Sequence, residues 1–410
     1  MSKDRLWTPQ FMTMGGGNFF YFLSQYLLVA AMPLYILEEL HGNERDAGLA
    51  MTYFQLGTVL CRPFAGKIID SLNKHRLLVA GSCAFLLIMT AFFFLRTLPA
   101  VFGLRFLHGA IFGVTSTAAA AVAALVLPLS RKGEGIGYFA LSTNLAMVVG
   151  PLVGLLLMQY WGPSAVFFFL ILGALFTLIA MICNALPSSV TRPSASFRSF
   201  SVTDLIEPRS VIPSLFGGLV FFSYGGMLTF IPLYARSLGL ASVTSLFFVV
   251  FALIIIVTRP VIGHLFDTKG PDYIVYPGFI VFLLGFILFA SISSLTGLLL
   301  SGAVLGLGFG ALSPAFQTLA VTMAPPSRAG VATATYFWAL DISVGLAAYL
   351  LGLAAAEWGY AMMYGVICPA VLVGAAVLYL VWRRRETDER TRNKLIFPPL
   401  CIAFYPIMNL

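Results

Sequence analysis

Three ionisable residues lie inside long apolar stretches of this sequence, where a charged side chain is costly. Asp341 is a carboxylate deep within one stretch, and Arg105 and His108 stand three residues apart in another. Residues three apart share a helical face, and histidine titrates near neutral pH. A charge in lipid costs about 2.5–3.5 kcal/mol on insertion scales, so these groups must face a polar interior. We therefore predict that Asp341 carries protons, and that Arg105 and His108 form a coupled site for a proton or an anionic substrate.

Structural explanations for the same residues stay open. Asp341 could be a fixed partner that holds its segment against a polar neighbour. Arg105 could instead extend towards the outer membrane surface, because it lies close to the start of its apolar segment.

A charged phrase occurs twice, 197 residues apart, as RPFAGKIID from Arg62 and RPVIGHLFD from Arg259. A glycine permits close helix packing, and an aspartate can accept hydrogen bonds from helix N-termini or pair with an arginine. Candidate partners of Asp70 are Arg76, Arg131 and Arg62. The phrase predicts a pair of gating loops, although a static interfacial anchor is the alternative. The predicted gating residues are Arg62, Gly66, Asp70, Lys74, Arg76, Arg259, Gly263 and Asp267.

The composition requires lipid around most of the chain. Of its 410 residues, 60% are hydrophobic and 10% are charged, and the mean hydropathy is +0.94. A soluble domain carries about 25% charged residues. A membrane barrel would alternate apolar and polar positions, whereas this chain has unbroken apolar runs such as 165–186. Such runs are long enough to cross the hydrocarbon core as helices.

The apolar segments divide the chain into two halves. A polar stretch at 187–210 separates residues 1–186 from 211–385, and 386–410 form a tail. We predict an all-α membrane protein with twelve transmembrane helices in two pseudo-symmetric six-helix bundles. The predicted segments are 11–36, 47–69, 77–96, 99–126, 134–159, 164–186, 211–235, 242–265, 273–292, 296–322, 330–354 and 361–382.

The distribution of basic residues predicts the orientation. All but four of the 24 Lys and Arg residues fall on one side of these segments, and such residues mark the cytoplasmic side. Both termini are therefore expected in the cytoplasm of a multi-pass cell (inner) membrane protein. This asymmetry also accounts for the net charge of +8 without a nucleic-acid partner. The start of the chain leads directly into a spanning segment, so no cleavable signal peptide is expected.

Three local phrases resemble the major facilitator superfamily, with the resemblance covering residues 11–385. The loop from Gly66 to Arg76 is similar to the family's G-x-x-x-D-R/K-x-G-R/K-R/K loop. The phrase from Arg105 to Gly109 is similar to R-x-x-Q-G, with His108 in place of glutamine. Gly150, Pro151 and Gly154 resemble the end of the G-x-x-x-G-P-x-x-G-G phrase of antiporters, with Ala146 and Leu155 replacing two glycines.

This resemblance implies a secondary active transporter that works by alternating access. Within the family, the chain looks like the twelve-helix drug:proton antiporters, and residues 339–345 also resemble exporters of nicotianamine-like metallophores. The expected function is proton-coupled efflux of a small organic molecule, such as a drug or a metallophore-like metabolite, by a monomer that uses the proton gradient and no cofactor. The alternative is a proton-coupled or facilitated importer of a small nutrient.

The expected cavity lies between the first, fourth, seventh and tenth segments. Its predicted lining is Asn18, Gln25, Tyr224, Gln317, Tyr336 and Trp338. An enzyme is not expected, because the sequence has no nucleotide-binding G-x-x-x-x-G-K-S/T phrase and no H-E-x-x-H phrase. The five cysteines lack metal or redox spacing, so no metal site is expected and they are interpreted as apolar filler.

Overall fold

The structure is a computed structural model that describes residues 5–42, 44–193, 204–240 and 243–396. This part of the chain folds into long helices joined by short loops. Side-chain caps mark several helix starts: the Phe11 N–H donates to Thr8, the Arg76 N–H to Asn73 and the Gly297 N–H to Ser294. The helices are α1 (Pro9–Glu38), α2 (Glu44–Ser71), α3 (Lys74–Phe92), α4 (Leu98–Val126), α5 (Lys132–Cys183), α6 (Ser188–Thr191), α7 (Pro208–Ser237), α8 (Thr244–Lys269), α9 (Asp272–Ala290), α10 (Leu295–Met323), α11 (Ala329–Met362) and α12 (Cys368–Ile396).

Glycines break the two longest continuous helices. Gly162 in α5 has φ +74° and Gly359 in α11 has φ +76°, a left-handed conformation that side chains rarely adopt. The two arms of α5 correspond to the fifth and sixth predicted segments. Gly359 separates the eleventh segment from the twelfth, which begins with a π-helical turn at Met363–Ile367. The predicted all-α membrane fold is thereby confirmed.

The helix α2 differs from the other spans in composition. Eleven helical stretches in the described part of the chain are long and apolar enough to cross a membrane, and α2 is not among them. Its 28 residues are sufficient in length, but they include Arg62, Lys67 and Asp70, all of which are buried. Because these polar groups face the protein, α2 can cross the membrane with an apolar outer face.

Each half has its own apolar core, and the helices pair in the same way in both. In the N-terminal half α1 packs against α5 and α2 against α4, while in the C-terminal half α7 packs against α11 and α10 against α8. Large apolar side chains such as Leu87, Val257 and Ile280 are exposed on the outside. In a membrane this surface faces lipid, so its exposure is expected.

One face of the molecule gathers the basic loops, and we call it the basic face. At this face α2, α4, α8, α10 and α12 end, and α1, α7 and α11 begin. The predicted linker contributes α6 here, while its residues 194–203 lie outside the described residues. The helix α12 continues to Ile396, past the predicted start of the tail at 386, and residues 397–410 of that tail also lie outside the described part.

Candidate functional site

A cavity of about 310 Å³ lies at mid-height between the two halves. Eight helices line it: α1, α2, α4 and α5 from one half, and α7, α8, α10 and α11 from the other. The sequence anticipated four of these helices, α1, α4, α7 and α10. Of the predicted lining residues, Trp338 is absent from the wall, and the following line it: Asn18, Gln25, Tyr224, Gln317 and Tyr336.

Aromatic side chains make up about a third of the residues that line the cavity, and a few buried amides lie among them. The Asn18 Nδ2 donates to Ser142 Oγ at 2.8 Å and to Thr143 Oγ1 at 2.9 Å. The Asn18 Oδ1 and the Gln25 Oε1 are buried and accept no hydrogen bond from the protein. Such oxygens are suited to accept hydrogen bonds from a bound molecule. The aromatic wall comprises Phe22, Tyr26, Phe54, Phe112, Phe139, Phe221, Tyr224, Phe309, Tyr336 and Phe337.

An ion pair inside the cavity joins the two halves. The Arg62 Nε of α2 lies 2.8 Å from the Asp341 Oδ2 of α11, although these two atoms do not form an aligned hydrogen bond. The Gln55 side chain also hydrogen-bonds to Asp341. The Arg62 guanidinium lies over the Phe337 ring, 5.1 Å from its centroid. The Arg62 side chain is 5% exposed and that of Asp341 is 22% exposed, on the cavity side.

Arg259 occupies the equivalent position in the C-terminal half and also lines the cavity. Its Nη1 donates to the Gly310 carbonyl oxygen at 3.0 Å, whereas its Nε has no hydrogen-bond partner. The guanidinium lies against Gly137 of α5, in space that a Cβ there would occupy. Within the described part of the chain, no carboxylate oxygen lies within 4 Å of Arg259.

The two repeated aspartates hold the halves together at the basic face. The Gly330 N–H donates to Asp70 Oδ1 at 3.0 Å, and the Val331 N–H donates to Asp70 Oδ2 at 3.1 Å. Both donors belong to the first turn of α11, where the helix dipole favours a negative charge. Asp70 therefore joins α2 of one half to α11 of the other.

Asp267 makes the symmetric contact. The Gly133 N–H donates to Asp267 Oδ1 at 2.8 Å, and the Glu134 N–H donates to its Oδ2 at 2.9 Å. The two acceptor residues, Asp70 and Asp267, are 197 positions apart in the chain. The corresponding donor residues of the two contacts are separated by the same 197 positions. We call these two contacts the aspartate latches, and each joins one half to the other at the basic face.

The repeated glycines allow the backbones to approach beside each latch. A Cβ at Gly66 would lie 2.5 Å from the Val331 Cα, and a Cβ at Gly263 would lie 2.7 Å from the Glu134 Cα. Both neighbours are backbone atoms, which cannot rotate away as a side chain can. A larger residue at either position requires the two helices to separate.

The arginines considered as partners of Asp70 have other contacts. Arg62 pairs with Asp341 in the cavity, and the Arg131 Nη2 pairs with Glu134 at 2.7 Å. Arg76 is exposed. The Lys74 Nζ donates to the Arg192 carbonyl oxygen at 3.1 Å, which attaches α3 to the linker.

Two ion pairs involving the end of the linker were not anticipated from the sequence. The Lys67 Nζ lies 2.9 Å from Asp204 Oδ2, and Glu207 pairs with Arg328. The sequence offered little signal for them, since charged residues in a polar linker usually face solvent. Both contacts fasten the linker to the basic face near the aspartate latches.

Arg105 and His108 contact each other but do not line the cavity. The Arg105 Nη1 and the His108 Nδ1 are 3.3 Å apart, and the Arg105 Nε donates to the Ala50 carbonyl oxygen at 3.2 Å. The guanidinium carbon also lies 4.6 Å from the Phe54 ring centroid. Arg105 is fully buried and ties α4 to α2, so it does not extend to the surface. A role for this pair in proton coupling stays a prediction.

The profile of the Major Facilitator Superfamily matches residues 14–348 and 274–399 of this chain. The chain belongs to this superfamily. A major facilitator transports small molecules across a membrane, and this protein is accordingly a multi-pass membrane transporter.

Curated relatives of this major facilitator include transporters from bacteria. An uncharacterized MFS-type transporter of Burkholderia mallei is 26% identical over 382 residues, which cover 90% of this chain and 91% of the relative. A multi-drug resistance efflux pump PmrA homolog of Lactococcus lactis is 27% identical over 322 residues, covering 75% of this chain and 79% of the relative.

Solved structures of transporters share the fold. The human organic anion transporter MFSD10 has a TM-score of 0.78 at 15% identity, covering 90% of this chain and 98% of that one. A variant of the Escherichia coli fucose:proton symporter FucP has a TM-score of 0.73 at 14% identity, covering 91% and 99%. At these identities the likeness shows the fold alone.

In this major facilitator, the antiporter-like phrase packs α5 against α1. A Cβ at Gly150 would lie 2.7 Å from the Tyr26 Cβ, and a Cβ at Gly154 would lie 2.7 Å from the Leu27 carbonyl oxygen. Pro151 lies between them inside α5. These residues do not line the cavity, but they set the position of Tyr26, which does.

Proposed function

We propose that this protein is a proton-coupled efflux transporter, which exchanges protons for a small organic molecule by alternating access. The observation that carries the proposal is the ion pair between Arg62 and Asp341. It lies in the cavity and joins the two halves, so the same carboxylate can accept a proton and control how the halves contact each other.

Protonation of Asp341 is the proposed coupling step. The neutral carboxyl group no longer attracts the Arg62 guanidinium, so one contact between α2 and α11 is weakened. The aspartate latches on the same helix pair then need less energy to separate, and the basic face opens. Deprotonation restores the ion pair and favours closure. The Arg105–His108 pair is a second candidate for carrying the proton, set apart from the cavity.

Relatives and charge distribution support the direction of transport. The bacterial relative named as a multi-drug efflux pump is 27% identical to this chain, and the α5 phrase resembles that of antiporters. With the basic face in the cytoplasm, the conformation described has its cytoplasmic side closed. We propose a cell-membrane antiporter with both termini in the cytoplasm, functioning as a monomer and conferring drug resistance when its substrate is a drug.

Efflux from cells that express the protein tests this proposal. The cells are loaded with a panel of compounds, and the export of each compound is measured with and without an uncoupler that dissipates the proton gradient. We expect gradient-dependent export by the natural protein and none by Asp341→Asn, which should still insert into the membrane. The matched control is Asp272→Asn, since Asp272 pairs with Arg383 and Tyr379 at the basic face, away from the cavity. Export by Asp341→Asn at the natural rate would exclude Asp341 as the coupling residue.

Import of a small nutrient is the second candidate. The observation in its favour is that Ala146 and Leu155 replace two glycines of the antiporter-like phrase. Inside-out membrane vesicles distinguish the two directions, because an exporter accumulates its substrate there when the lumen is acidified and a proton-coupled importer does not.

A further inference from the structure

The charges that line the cavity do not balance. Its charged residues are Arg62, Arg259 and Asp341, which leaves one excess positive charge. Arg62 and Asp341 form an ion pair. Arg259 therefore carries the excess charge, and it is only 3% exposed. A guanidinium in such a position is costly unless an anion pairs with it.

The repeat shows why the cavity lining offers Arg259 no carboxylate at ion-pair distance. The 197-residue offset relates Arg62 to Arg259. The aspartate latches show the same offset, since one joins α2 to α11 and the other joins α8 to α5. The same offset relates Asp341 to Asn144, which also lines the cavity. An amide thus stands in one half where a carboxylate stands in the other.

Arg259 retains a donor that no group of the described protein uses. One hydrogen bond, from Nη1 to the Gly310 carbonyl oxygen, has been described, while the Nε donor is buried without a partner. Guanidinium N–H groups match the paired oxygens of a carboxylate or a similar anion. The ten aromatic side chains that line the cavity suit an apolar or aromatic body.

We infer that Arg259 is the anchor for the substrate, and that the substrate class is organic monoanions with an apolar body, such as aromatic carboxylates. The inference rests on the proposed function in taking this cavity as the transport site. The Arg62–Asp341 pair couples proton movement to transport, whereas Arg259 and Asn144 select substrates that carry a negative charge. The two arginines of one repeated phrase therefore have different tasks.

Binding of a matched probe series tests the inference. The probes are naphthalene-1-acetate, its neutral amide naphthalene-1-acetamide and the cationic 1-naphthylmethylamine, titrated calorimetrically into purified protein. We expect the acetate to bind at least roughly tenfold more tightly than the amide, as for a charge-assisted hydrogen bond. Equal binding, tighter binding of the amine, or binding of none of the three would overturn the assignment.

Two variants locate the preference. Arg259→Gln should bind the acetate no better than the amide, and Asn144→Asp should do the same because its carboxylate supplies the missing counter-charge. Both should elute from size-exclusion chromatography as the natural protein does, since neither creates an unpaired buried charge. A preference for the acetate that survives in both variants would show that the anion binds elsewhere.

Asp341→Asn separates this inference from the proposed function. It removes the carboxylate from the cavity, so the preference for naphthalene-1-acetate should persist or increase while uphill export stops. Loss of the preference in this variant would contradict an anchor at Arg259. Unchanged export with the preference intact would contradict only the coupling role of Asp341.

Discussion

Arg62 and Asp341 form an ion pair that joins the two halves inside the cavity. Each would be unfavourable alone in an apolar interior, and together they satisfy each other across the boundary between the halves. The partial exposure of Asp341 to the cavity gives water, and therefore protons, a path to it.

The energetics of this pair can be measured by a double-mutant cycle. Arg62→Gln and Asp341→Asn should each lower the free energy of unfolding by about 3–5 kcal/mol, because each leaves one buried charge without its partner. The double variant should lose less than the sum, since no unpaired charge remains. Thermal unfolding in detergent, followed by tryptophan fluorescence, provides the comparison. Strictly additive losses would mean that the two charges do not interact.

The sequence named Arg62 and Asp341 as candidates but did not predict that they pair with each other. Asp341 was identifiable because it is a carboxylate within an apolar segment. Arg62 was identified through its repeat but grouped with the gating loops as a possible partner of Asp70. Eight helical residues separate Arg62 from Asp70, or about 12 Å along the axis. That distance places Arg62 in the cavity, and its ion pair with α11 depends on a tertiary contact that no local pattern contains.

At the scale of helices, the α2–α11 contact depends on Gly66. The repeated glycine on α8 has the same relation to α5, so each half supplies one glycine to the closed basic face. Substitutions here act on the conformation in which the helices touch. They have less effect on a conformation in which the basic face is open.

Gly66→Val should therefore shift the equilibrium towards an open basic face. Overpacking costs roughly 1–3 kcal/mol, enough to change the ratio of two conformations about tenfold. The readout is alkylation of Ala120→Cys, a cavity position, in a background without the natural cysteines. We expect faster alkylation with Gly66→Val. The matched control is Gly103→Val, since nothing lies within 4 Å of a Cβ there, and an equal rate in both valine variants would contradict the prediction.

The fold was largely predictable because lipid leaves few options for an apolar chain. The segment limits followed from hydropathy, and the helix starts at Asn73 and Ser294 have ordinary capping residues. The extension of α12 to Ile396 was not predicted, because its polar sequence gives no hydrophobic signal. The unusual polarity of α2 was not recognised from the sequence, where 47–69 was treated as an ordinary apolar segment. Its polar residues meet partners on α11 and on the linker, which are distant in the chain.

For the whole molecule, the symmetry is close at the basic face and broken in the cavity. The two aspartate latches use the same atoms, the same donors and the same offset of 197 residues. In the cavity, Asp341 faces Arg62, whereas Asn144 takes the corresponding place in the other half. Under the proposed function, the symmetric latches open together, while the asymmetric cavity places the proton at Asp341 and the substrate at Arg259.

The symmetry predicts that the latches act as a pair on the opening of the basic face. Spin labels at Leu72→Cys and Lys269→Cys report the separation of the halves, since both positions are exposed just beyond the latch aspartates. Asp70→Asn and Asp267→Asn should each increase the population at longer distance, because a neutral amide is a weaker acceptor for the helix N-termini. In the double variant, the increase in the open population should exceed the sum of the increases in the two single variants. The reason is that one intact latch still holds both halves together in each single variant.

The matched control is Asp272→Asn, which alters a basic-face ion pair within the C-terminal half and should leave the distances unchanged. Populations in the double variant equal to those of either single variant would mean that only one latch holds the basic face closed.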